Sequence, residues 1–265
     1  MTPDSFSDGG LHVGQSLSGA IDSFISNGAK MIDIGGQSSA PGAVDVTPEE
    51  EIARILPAIN LVRSHPEGRE IVISVDTYRA SVAEAAIISG ADIINDVSAG
   101  ALDATMLPIV ARYNKTICLM HMRGTPSTMN SLTDYRPKGV IPAIAQELLQ
   151  RVAAAEEAGI RRWRIILDPG IGFAKIRKQN LEVLRHLDEL RNWPGLRGFP
   201  WLLGSSRKSF IGSITGVKEP KERLLGTAAT VAAAVQGGAD IVRVHDVLEM
   251  TQVIEMSDAI WRNTE

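Results

Sequence analysis

The chain has 265 residues, 44% of them hydrophobic and 22% charged, with a formal net charge of −4 and a sequence pI of about 5.8. That is the balance of a globular domain with ample chain for a core, and it excludes the basic footprint of a nucleic-acid-binding domain while leaving room for a local basic cluster. The single cysteine, Cys118, rules out an internal disulfide and fits a reducing compartment, and the longest apolar run, Ala228–Val235, falls far short of the ~20 residues that span a bilayer.

The opening MTPDSFSDGG reads as loop, with Pro, paired Asp and Ser, and two Gly. It has neither signal-peptide nor transit-peptide character, since no Lys or Arg precedes Lys30 and both Asp4 and Asp8 are acidic. A short theme then recurs: helix end, Gly, strand, polar tip. It is written SNGAKMIDIGG (26–36), ISGADIINDVSAG (88–100), EEAGIRRWRIILDPG (156–170) and QGGADIVRVHDV (236–247). The glycines at 28, 90, 159 and 238 sit where a helix C-cap favours a left-handed residue, and the Ile/Val-rich runs after them read as buried strands.

Seven strands are predicted, at about 30–34, 71–75, 91–95, 115–120, 164–168, 200–204 and 240–244. Between them, Thr47-Pro48-Glu49-Glu50 reads as a capping box opening a helix. Leu181, Leu184 and Leu187 mark one apolar helix face before Leu190, and Arg223–Gln236 predicts an Ala-rich helix packed closely on the sheet. The stretch 123–139 is long enough to be a mobile loop over a site. No composition shift divides the chain, so residues 1–265 are read as one domain.

The strands end on polar residues: Asp33, Asp76, Asn95, His121, Asp168, Lys208 and the pair Arg243/His245. Parallel strands whose polar ends point one way converge on one mouth, the layout of an active site on a (β/α)8 TIM barrel. The units recur about every 35 residues, against ~31 in such a barrel. Seven strands do not close eight, and no apolar run precedes the opening loop, so the first strand is expected to be missing at the N-terminus.

In order, MTPDSFSDGG, DIGGQSSAPGA, ISVDTYRA, IINDVSAG, LMHMRGTP, LDPGIGFAK, SSRKSFIG and IVRVHDV resemble the blocks of dihydropteroate synthase, from Thr2 to Val247. The family joins 6-hydroxymethyl-7,8-dihydropterin pyrophosphate to 4-aminobenzoate, giving 7,8-dihydropteroate and pyrophosphate with Mg²⁺, and is a sulfonamide target. The wording of several blocks resembles the fungal type, in which the domain forms part of a multifunctional folate-synthesis polypeptide. The resemblance also implies a homodimer, in the cytoplasm or the mitochondrion. An alternative in the same class is a pterin-binding methyltransferase that passes a folate methyl group to a corrinoid; SRKSFIG and TPDSFSDGG favour the synthase.

The resemblance implies a role for each tip. Asp168 would accept the pterin amino group and ring N–H together, although it could instead cap a helix before Pro169-Gly170. Asn95 would read another ring edge, or serve only as a turn residue, and Asp76 would give a second carboxylate, or cap a helix starting near Tyr78. Lys208 would donate to the pterin carbonyl and ring nitrogen, with Met120 and Phe173 sandwiching the ring, or packing as core.

Arg243 and His245 alternate around Val244 and would face the departing diphosphate, with Ser39 and the backbone of Gly35-Gly36 and Gly42 also toward phosphate. Asp8 would enclose the aminobenzoate. His121 has only its position to support it.

Two departures stand out. Where the family carries an Arg that contacts pyrophosphate, this chain has Ala40, and the next arginine, Arg54, falls inside a helix. One lost charge-assisted contact costs about 1.5–3 kcal/mol. The family's Mg²⁺ ligand, an Asn at the end of the first strand, would lie just ahead of Met1, which leaves two readings: an enzyme whose upstream strand lies outside this chain, or a truncated chain that binds pterin and turns over poorly.

Overall fold

Strand and helix alternate along the chain, and the computed structural model describes residues 15–38 and 42–262. Contacts group these residues into two units, the first running to Met120 and resuming at Arg151–Ile165, the second covering His121–Gln150 and Ile166 onward.

In the first unit, helix α1 (Gln15–Ser26) leads to β1 (Met31–Gly35), α2 (Pro48–Ser64), β2 (Val72–Asp76), α3 (Ala80–Ile88), β3 (Ile93–Asp96), α4 (Met106–Arg112) and β4 (Thr116–Met120). The strands pair in parallel and in sequence order, β1 with β2, β2 with β3 and β3 with β4. Parallel neighbours need a crossover between them, and α2, α3 and α4 supply it. Ile55, Ile59 and Val62 on α2 and Ile73 and Val75 on β2 are fully buried, so the core lies between helix and sheet.

The ends of these elements follow local chemistry. Thr47 caps α2, its hydroxyl accepting from Glu50 N at 3.2 Å, with Pro48 in the first turn. Only half of the expected capping box is made, because the Glu50 carboxylate turns to Arg54 at 2.5 Å. The theme glycines 28, 90, 159 and 238 take φ of 97°, 112°, 96° and 90°, as predicted for residues that end a helix and start a strand.

Helix α5 (Val140–Glu157) precedes β5 (Ile165–Asp168), α6 (Arg177–Arg185), α7 (Leu187–Arg191), β6 (Leu202–Leu203), α8 (Ser209–Thr215), α9 (Leu224–Gln236), β7 (Ile241–Val242) and α10 (Val247–Trp261). In the second unit a parallel bridge joins Leu167 to Trp201, and β6 pairs in parallel with β7. Of the expected apolar face Leu184 and Leu187 are buried, as is Leu190 after them, but Leu181 is only half-buried and the helix breaks at His186 into α6 and α7.

All seven predicted strands are present among the described residues, within about three residues of their expected ends. The position expected for an earlier strand lies outside the described residues. The 123–139 segment is no loose lid. Met129 and Tyr135 are buried, the Tyr135 hydroxyl donates to Ala174 O at 2.9 Å, Gln179 donates to Thr133 O at 2.7 Å, and Arg123 to Asp134 O at 2.7 Å. Two apolar anchors and two polar ties, to Ala174 and Gln179, hold it down, and the Arg123 bond braces it internally. No helix among the described residues is long and apolar enough to cross a membrane.

Candidate active site

Five of the predicted residues, Asp168, Phe173, Lys208, Arg243 and His245, lie in the second unit. Asp168 ends β5, is buried, and its Oδ1 accepts from Gly170 N at 2.7 Å. Helix α6 starts only at Arg177, so Asp168 shapes its own turn and does not cap a helix. Burial pushes its carboxyl pKa up, and the Lys208 charge, the Gly170 N–H, Lys175 and Arg243 oppose that push. A buried carboxylate facing several cations is prepared for a ligand with paired N–H donors.

Lys208 lies at the start of α8, and its ammonium donates to Ile171 O and stands 4.7 Å from the centroid of the Phe173 ring. Gly172 is required at this contact: its φ is 81°, and a Cβ there would stand 2.9 Å from Lys208 Cδ. The structure thus brings Asp168, Phe173, Lys208 and Arg243 together.

Strand alternation does not place Arg243 and His245. Strand β7 stops at Val242, and the bond from Arg243 N to Leu203 O, 3.0 Å, continues its ladder. The turn after β6 positions them instead. The Arg243 Cβ lies against Gly204, and His245 Nδ1 meets Ser206 Oγ at 2.8 Å. In the same turn Arg207, at φ 60°, pairs with Asp246 through both carboxylate oxygens, its Nε donating to Oδ2 at 3.0 Å.

In the first unit Asp76 and Asn95 are register partners across β2 and β3. Asn95 is a buried strand residue, not a turn residue, and its Nδ2 donates to Asp33 Oδ2 at 3.4 Å. Asp33 also accepts from Ser74 Oγ at 2.6 Å, which makes it the orienter of Asn95. The start of α3 takes its side-chain acceptor from Asp103, with Ala80 N donating to Oδ2 at 2.7 Å, so Asp76 is not that helix's cap. Met120 ends β4 and is buried.

Asp8, Ser39 and Ala40 lie outside the described residues. Arg54 spends its guanidinium on Gly36 O at 2.9 Å and on Glu50, so it does not stand in for an Arg at position 40. A Cβ on Gly36 would come within 2.8 Å of Glu51 Cγ and of Glu51 O, so this glycine is required by the approach of α2. Among the described residues no group of three or more His, Cys, Asp or Glu side chains is placed to hold a metal ion, so they do not form a Mg²⁺ cage by themselves.

Sequence reasoning missed Lys175 and Glu147 and set His121 aside. His121 is buried, between Lys175 Nζ at 2.9 Å and Glu147 Oε2 at 3.0 Å. The signal available was a lysine closing the otherwise apolar Ile-Gly-Phe-Ala run.

A buried carboxylate flanked by cations thus stands at a strand end of an alternating parallel α/β fold. Residues 1–245 match the family model of pterin binding enzymes. The folic acid synthesis protein fol1 of Pneumocystis carinii is 50% identical over 99% of this chain, which spans about a third (35%) of that relative's length. The dihydropteroate synthase of Synechocystis is 47% identical over 98% of this chain and 88% of its own. A Yersinia pestis dihydropteroate synthase, solved as a sulfonamide drug complex, superposes with a TM-score of 0.91 at 35% identity, covering 99% of this chain and 92% of that one. The chain belongs to the pterin binding enzymes and, among them, to the dihydropteroate synthase family. Its fold class is the (β/α)8 barrel expected from the sequence.

Proposed function

We propose that the chain condenses 6-hydroxymethyl-7,8-dihydropterin pyrophosphate with 4-aminobenzoate to give 7,8-dihydropteroate and pyrophosphate. The observation that carries this reading is the buried Asp168 carboxylate facing Lys208 and Arg243. An acceptor-only group in a dry site suits the paired N–H edge of a pterin, and Lys208 suits its carbonyl and ring nitrogen. Asp76 and Asn95 are the proposed readers of further ring edges, with Met120 and Phe173 as the apolar surfaces.

In the reaction the C–O bond at the pterin methylene breaks and its electron pair leaves with the diphosphate. The cation left behind is delocalised into the ring, the arylamine nitrogen bonds to the methylene, and a proton is lost from that nitrogen. No side-chain nucleophile is needed. The protein's part is positioning and stabilising the departing charge, with Arg243 and His245 facing the diphosphate and Ser39 assisting. Asp8 is the proposed partner of the aminobenzoate. Mg²⁺, when bound, would supply charge neutralisation at the substrate diphosphate. The one-third share of the fungal relative supports a domain that works inside a longer folate-synthesis polypeptide, and a homodimer is part of the same reading.

The test is product formation by the purified protein from the two substrates. The expected result is dihydropteroate and pyrophosphate in equal amounts. Pterin binding without dihydropteroate, but with methyl transfer from a methylfolate to a corrinoid, would overturn it.

A further inference from the structure

Lys175 ends the loop that follows β5, and its buried ammonium has three acceptors: His121 Nδ1 at 2.9 Å, Gly170 O at 3.0 Å and Phe173 O at 3.1 Å. The Glu147 carboxylate only accepts, so His121 Nε2 carries the imidazole proton and donates it to Oε2 at 3.0 Å, which leaves Nδ1 to accept from Lys175 Nζ. Arg123 closes the chain from the far side. Its Nε meets both Glu147 oxygens at 3.1 Å, its Nη2 meets Oε1 at 2.5 Å, and its guanidinium lies 3.9 Å from the centroid of the Tyr135 ring. The Tyr135 hydroxyl returns to Ala174 O, next to Lys175.

This circuit grips the 170–174 backbone at three carbonyls, those of Gly170, Phe173 and Ala174. The same loop carries the Gly170 N–H that fixes Asp168 and the Ile171 carbonyl that takes the Lys208 amine. Burial lowers the Lys175 pKa to about 7, a cost that an uncharged side chain filling the same volume would not carry. A merely filled site would leave those carbonyls unfixed and remove a cation that faces Asp168.

We propose that Lys175 is a positioning residue for pterin recognition, and that His121 and Glu147 behind it hold the loop whose backbone aims Asp168 and Lys208 at the ring. The inference rests on the function proposed above.

The test uses the whole chain and four variants: Lys175→Met, which keeps length and loses the donors; His121→Phe, which loses both ring hydrogen bonds; His121→Gln, which keeps an acceptor and a donor; and the double Lys175→Met/His121→Phe. Melting temperature, kcat and the KM for the pterin diphosphate are measured for each. Lys175→Met and His121→Phe are expected to raise that KM about tenfold while kcat stays within about threefold. His121→Gln should restore most of the affinity, and the double variant should be no worse than the poorer single one, as for residues that act as a unit.

A folded Lys175→Met with unchanged KM would overturn the inference, as would a double variant whose effect is the product of the singles. If Lys175→Met does not fold, the two His121 variants decide, and equal KM values for them overturn it. A wild-type chain that binds no pterin overturns the functional reading itself; wild-type binding with unaffected variants overturns only this inference.

Discussion

The Lys208 ammonium stands 4.7 Å from the centroid of the Phe173 ring, and this contact links the turn after β6 to the loop after β5. A cation over an aromatic face contributes about 0.5–2 kcal/mol, according to how far it is desolvated. Phe173→Leu keeps an apolar side chain and removes the ring's negative face. The expected result is a several-fold rise in the KM for the pterin diphosphate with little change in melting temperature, checked by steady-state kinetics beside a thermal melt.

Asp168 carries a stability cost. Its folded pKa is raised, first by burial, so its contribution is fully present below the unfolded pKa of 3.8 and is lost as pH rises through the folded value. Above pH 3.8 the raised pKa is therefore a net cost to the fold. Asp168→Asn removes the charge and keeps an acceptor for Gly170 N. It is expected to raise the melting temperature at pH 7 by about 2–4 °C, and the gain should vanish well below pH 3.8, as differential scanning fluorimetry across pH would register.

Much of the fold was legible because its signals are local. Thr47 announces α2, the glycines at 28, 90, 159 and 238 announce the strands after them, and each strand ends within about three residues of its expected place. Asp168, Lys208, Asp76 and Asn95 were legible as polar residues ending apolar runs. The Lys175–His121–Glu147 chain was not, because its hydrogen bonds join residues 54 and 26 positions apart, and only tertiary packing brings them together. The half-made capping box at Glu50 has a similar cause: Arg54, one turn on, outcompetes the backbone for the carboxylate. Arg243 and His245 were paired by a strand rule, and β7 itself stops at Val242, short of both.

Burial first, then the Lys175 charge, holds the His121 imidazole down to about 4 from its usual 6.5, against the pull of Glu147. A base whose folded pKa is lowered costs stability as pH falls, here from 6.5 toward 4, because the folded state resists the proton that the unfolded chain takes up. Lys175, Glu147 and Arg123 are the charged groups acting on this ring. His121→Gln cannot titrate, so its melting temperature should fall less than that of the wild type between pH 6.5 and 4. Parallel curves for the two proteins would show that the limb comes from other groups.

Asp246 faces Arg207 with both carboxylate oxygens, and the two side chains are 17% and 11% exposed. Removing one partner of a buried pair costs about 3–5 kcal/mol, and the residual exposure places this pair near the lower end. Asp246→Ala is expected to lose roughly 3 kcal/mol in denaturant unfolding. It should also loosen the turn that carries Ser206 and Lys208, raising the KM for the pterin diphosphate.

The central claim is that Asp168 receives the N–H edge of a pterin ring. Calorimetric titration of the pterin diphosphate into the wild type and Asp168→Asn at pH 7 tests it most directly. Two charge-assisted hydrogen bonds are at stake, so the account predicts one-to-one binding by the wild type and affinity weaker by about a hundredfold or more in the variant. Equal dissociation constants for the two proteins would contradict it.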